Sequence, residues 1–201
     1  MKLLPSIFIC CCLGMSCTDY SPKPSGYFRI ETGQHVYQTY AENPVFSFEY
    51  SGKASIVRLN EEKHGIWFNI FYPEFQANIH CSYLPINAAT FALTAEDSRE
   101  LVYRHTVKAD DIISQYLENP DKKVYGVLYE IKGNVASPLQ FTLTDSIRHF
   151  FRGAVYFNAI PNQDSIAPVL NFIKEDVIRL MDSFAFRAKS AEQTHLNINK
   201  R

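Results

Sequence analysis

Between Val124 and Asn158 the chain alternates so regularly that it dictates antiparallel sheet. Tyr125, Val127, Tyr129 and Ile131 recur at every second position, and Lys132-Gly133-Asn134 then turns the chain. Leu139, Phe141 and Leu143 alternate with Gln140, Thr142 and Thr144, Asp145-Ser146 turns it again, and His149 to Asn158 supplies a long third strand. Side chains of a strand alternate between two faces, and polar turns this short join only antiparallel neighbours. The section therefore reads as a meander.

The same period runs upstream. Phe46, Phe48 and Tyr50 alternate with Val45, Ser47 and Glu49, Ser51-Gly52 marks a turn, and Ile56 to Leu59 returns as a second strand. Ile66 to Tyr72 is apolar on both parities, as for a strand covered on both faces. Beyond Pro73, the residues Ala77, Ile79, Cys81 and Tyr83 share one face, and Asn78, His80 and Ser82 the other. Aromatic residues make up 14% of the 201-residue chain, which favours a pleated, half-buried surface.

Two stretches change to a helical period. Asn87 is a good N-cap for a helix running to about Ala109, with Phe91, Ala95, Ser98, Val102 and His105 on one stripe. Asp110-Asp111 and Ile112 to Leu117 either end that helix or begin a strand. In the last element Asp164 or Ser165 caps the helix, and Pro168 sits in the tolerated first turn. Its apolar positions are Ile166, Val169, Leu170, Ile173, Val177, Leu180, Met181 and Phe184, with Glu175, Asp176 and Arg179 off the stripe. The fold class is α+β: a mainly antiparallel β-sheet with a middle helix and a C-terminal helix packed on it. One domain covers residues 26–187, and 188–201 is a polar tail.

The N-terminus places this domain in the cell. Lys2 leads an apolar run from Leu3 to Leu13, too short to span a bilayer, and residues 1–16 read as a signal peptide. Ser16-Cys17 closes it in the manner of a lipoprotein cleavage site, although the aliphatic Leu13 lies four places before the cysteine and Gly14 three. Cys17 is the predicted lipidation site; the competing reading is a plain secretory signal cut nearby. Residues 17–25 are the lipidated cysteine and a tether containing Pro22 and Pro24, whose residues 18–25 reach about 25 Å at ~3.1 Å per residue. Tyr27, Phe28 and Arg29, of types enriched in contact hot spots, then open the domain and are candidate contact residues.

Few residues suggest chemistry. A net charge of −1 gives no basic excess for a phosphate backbone, so nucleic acid is not a partner. Cys10, Cys11 and Cys12 fall in the leader, which leaves Cys81 as a core thiol with nothing to pair with. The six histidines lack metal-ligand spacing, and no nucleotide-binding or hydrolase motif occurs. His105, Lys108 and Asp110 bring titratable groups together. A His with nearby Asp could do acid–base work, but His105 on a helix stripe reads more simply as a structural, hydrogen-bonded residue.

Several stretches resemble the gliding motility lipoprotein GldD family. They are Asp19-Tyr20-Ser21-Pro22-Lys23-Pro24 with Gly26-Tyr27-Phe28-Arg29-Ile30, Phe46-Ser47-Phe48-Glu49-Tyr50, His105-Thr106-Val107-Lys108-Ala109-Asp110, Val124-Tyr125-Gly126 with Lys132-Gly133-Asn134, and Phe151 to Ala159. The resemblance covers nearly the whole mature chain. It implies a membrane-attached component of surface gliding, associated with machinery that also secretes proteins, and it brings no enzymatic activity and no cofactor. The expected function is non-enzymatic, through contact with other gliding or secretion proteins in the periplasmic part of the cell envelope. The alternative is a small envelope enzyme or ligand-binding domain with a cleft near His105.

Overall fold

The computed structural model describes residues 31–59, 65–104, 109–158 and 163–187. Among these lie ten strands in two antiparallel sheets and two helices, the α+β class expected. The strands are β1 (Tyr37–Tyr40), β2 (Phe46–Ser51), β3 (Ser55–Arg58), β4 (Ile66–Tyr72), β5 (Ala77–Pro85), β6 (Asp111–Asn119), β7 (Val124–Lys132), β8 (Leu139–Thr144), β9 (His149–Phe157) and β10 (Ala185–Phe186). Helix α1 is Ala88–Tyr103 and α2 is Gln163–Ser183.

The large sheet has the order β3-β4-β5-β9-β8-β7-β6, and its second half is the predicted meander. Its register places Phe68, Cys81, Gly153, Phe141 and Leu128 in one row across five strands. The small sheet, β1-β2-β10, and α2 together cover this face. Phe46 and Phe48 reach down from β2 onto Phe68 and Phe151, with ring centroids 5.5–6.3 Å apart. From α2 come Val169, Ile173, Val177, Leu180 and Met181, and Phe184 follows just past its end. Burial of so many large side chains on one face is what holds the layers together.

Several local expectations need correction. Ile56 does not return against β2, because both edges of β2 are taken by β1 and β10; β3 pairs with β4 in the large sheet instead. Strand β4 is sealed on one face only, by Phe68, Ile70 and Tyr72, whereas Trp67 and Phe71 are half-buried on the other. In β7 the residues turned to the main core are Val124, Gly126 and Leu128, so the alternating set Tyr125, Val127 and Tyr129 faces α1. Helix α2 begins at Gln163, which puts Asp164 and Ser165 inside it and Pro168 beyond its first turn.

Candidate functional site

Helix α1 starts where the sequence says it should. The Asn87 side chain accepts from the amides of Ala89 and Thr90 at 2.9 and 3.0 Å, and the Thr90 hydroxyl accepts the Asn87 amide at 3.0 Å. This reciprocal cap satisfies donors that the first turn leaves open. The helix stops at Tyr103, short of Ala109, and Asp111 begins β6. At its C-terminal end Val102 is buried against Ile131 and Val135. Upstream, the sheet-facing positions are the small Ala95 and Ser98, where a packed helix would carry large side chains. They leave a cleft of about 390 Å³ between α1 and the β6–β7–β8 end of the sheet.

Tyr116, Tyr125, Tyr129, Phe91 and Phe150 give this cleft aromatic walls. Tyr116 is 76% exposed. The Ser98 hydroxyl, on a residue only 5% exposed, lines the cleft without a hydrogen-bond partner among the described residues. On the rim, Arg99 clasps Glu96 through Nε and Nη2 at 2.9 and 2.6 Å, and its guanidinium lies over the Tyr103 ring. Burial first, then the nearby phenols of Tyr103 and Tyr116, push the Tyr129 hydroxyl up, so it stays a donor at neutral pH.

A second cluster lies on the opposite side of the sheet, around the segment that precedes β1. The His35 ring stacks on Phe172 of α2 at 4.1 Å. Its Nδ1 lies 2.7 Å from Asp176 and its Nε2 2.9 Å from Glu175. Asp176 is only 2% exposed and also accepts from the Tyr72 hydroxyl at 3.1 Å. Burial, then the Asp176 charge, push that hydroxyl well up. Arg179 completes the fastening, under the Tyr37 ring and bonded to Glu49. The placement of Asp176 off the apolar stripe is thereby corrected: it points into the protein and ties β4 and the segment before β1 to α2.

Of the residues singled out on sequence, Cys17, Tyr27, Phe28, Arg29, His105 and Lys108 lie outside the described residues. Asp110 is exposed, and its amide donates to the Lys132 carbonyl at 3.0 Å at the start of β6, away from the cleft lining. Cys81 is buried in the main core as expected, with burial pushing its thiol far up. Sequence reasoning missed the tyrosine cleft and the His35–Asp176–Tyr72 cluster. Asp176 did carry a signal, since it falls three residues after Ile173 and four before Leu180, on the apolar stripe itself.

A comparison with curated proteins finds no match for this chain. The family model of the gliding motility lipoprotein GldD matches residues 17–186, from the junction cysteine to the end of β10. The chain belongs to the gliding motility lipoprotein GldD family, and so is a membrane-anchored lipoprotein of the cell envelope and a component of gliding motility.

Proposed function

We propose that this protein is a non-enzymatic adaptor of the gliding machinery, linked to the associated secretion apparatus, and that it works through protein–protein contacts on the periplasmic side of a membrane. One observation carries the reading. Leu93, Leu101 and Tyr103 of α1 and Tyr116 and Tyr125 of the β6–β7 hairpin are exposed large apolar side chains, the two hairpin tyrosines on the sheet face that α1 packs against. Exposed apolar surface of this kind marks contact sites. In this reading Cys17 carries two or three acyl chains, enough for stable anchoring where one is marginal. The tether of residues 17–25 and the contact candidates Tyr27, Phe28 and Arg29 lead into one domain, 26–187. His105 is a structural residue in this reading, and Lys108 a candidate structural or site residue.

The anchor is tested with Cys17→Ala as the sole copy in a gliding strain. The expected result is an unprocessed or soluble protein and loss of gliding. Palmitate label retained by the variant, or normal gliding, contradicts it. A second reading, ligand binding, is favoured by the cleft's volume and the unpartnered Ser98 hydroxyl.

A further inference from the structure

We propose that β6 is a docking edge, at which an extended segment of a partner protein adds as a further strand of the large sheet. The proposal rests on the contact reading above and names its mode. Strand β6 is the last of the large sheet and pairs only with β7, in unbroken register from Asp111↔Lys132 to Asn119↔Val124. Its other side carries no strand among the described residues, so alternate amides and carbonyls face outward.

Natural edges are blunted by shortness, lysine, proline or a bulge. Strand β3, at the far edge, follows that practice: it has four residues and ends in Arg58, ion-paired with Glu42. Strand β6 does not. It runs nine residues without proline, lysine, glycine or bulge, and exposes Ile113, Ser114, Gln115 and Tyr116 in succession. Such a length and exposure invite pairing.

Side-chain chemistry defines the occupant. An added strand would lie about 4.8 Å from β6. Its side chains on the Tyr116 face would then meet the mouth of the cleft, which Tyr116, Leu117 and Glu118 line. A large apolar or aromatic side chain fits there, against the aromatic walls of the cleft. The charged side chains of β6, Asp111 and Glu118, are both acidic. The partner segment therefore alternates apolar residues and carries Lys or Arg at its ends. A second copy of β6 would bring no cation to either carboxylate.

The probe is a random linear-peptide library displayed on phage and selected on the acylated full chain in detergent, with one selected peptide then synthesised. The expected result is a pool with alternating apolar positions and flanking basic residues. The synthetic peptide should slow hydrogen exchange of alternate β6 amides, and Tyr116→Lys should weaken binding about tenfold or more. Successive strand residues turn their amides to opposite edges. One of Ser114→Pro and Gln115→Pro should therefore abolish binding with the fold intact, and the other should loosen the β6–β7 pairing. Several results would overturn the proposal: no enriched peptide, protection elsewhere on the domain, or binding indifferent to Tyr116→Lys and both proline variants. Self-association abolished by Tyr116→Lys would also overturn it, by assigning the edge to a second copy. Each leaves the adaptor reading to its own test, because a partner seated elsewhere still satisfies that one.

Discussion

Asp176 accepts from the Tyr72 hydroxyl and faces His35 within a nearly closed site, so removing it strands two polar groups at once. Asp176→Ala should cost about 3 kcal/mol, and Asp176→Asn, which keeps an acceptor, clearly less. Urea unfolding checks this, and equal midpoints for the wild type and Asp176→Ala would refute it. Two other carboxylates set the acid response. Burial opposes ionisation of Glu130, but hydrogen bonds from Lys132 and Lys174 outweigh it and hold its pKa below the usual 4.5. Burial likewise opposes ionisation of Asp145, and the amides of Arg148, Ile147 and His149 outweigh it, holding the pKa below 3.8. A group depressed on folding stabilises fully above its unfolded value and loses that contribution as pH falls through its folded one. The contribution of these two carboxylates should therefore be complete above about pH 5 and be lost below it, and Glu130→Gln should flatten that part of the fall. An acid profile unchanged in Glu130→Gln would contradict this. The partnership of Asp176 was only half legible: its spacing fits the stripe, but an ionisable residue in a helix is ordinarily solvent-facing.

Close packing between strands explains what the elements tolerate. A Cβ on Gly153 of β9 would collide with the Phe141 ring of β8, which is itself fully buried. A Cβ on Gly126 of β7 would sit 2.6 Å from the Thr142 carbonyl oxygen. Gly153→Ala should thus destabilise by about 1–3 kcal/mol, read as a lower thermal midpoint with the fold retained. An unchanged midpoint would show that the ring can move aside. The meander and the N-cap of α1 were legible because period and turn chemistry are local. The partners of β2 were not, since β10 comes from the far end of the chain and no local signal carries that pairing. The cleft was hidden for a related reason. Ala95 and Ser98 fit a helix stripe, and only the assembled sheet shows that they leave space.

At the scale of the whole molecule, the two sides of the large sheet divide the work. On one side the segment before β1 and β1 itself are fastened to α2 through His35, Tyr37 and Arg179. On the other, α1 and β6 present tyrosines and an open strand edge. The sheet was legible in the sequence, but which of its faces carries the cleft was not. His105→Gln should lower thermal stability and reduce gliding only as far as protein abundance falls; an abundant, stable variant that fails to glide would instead place His105 in direct contact or chemistry. The most direct measurement is gliding in a strain whose only copy carries Tyr116→Lys, with protein amount and membrane fraction measured in the same cells. Tyr116 is an exposed edge residue, so the variant should be abundant and membrane-bound. The account predicts that such cells fail to glide or glide far more slowly. Normal gliding with normal protein amount would contradict contact through this face.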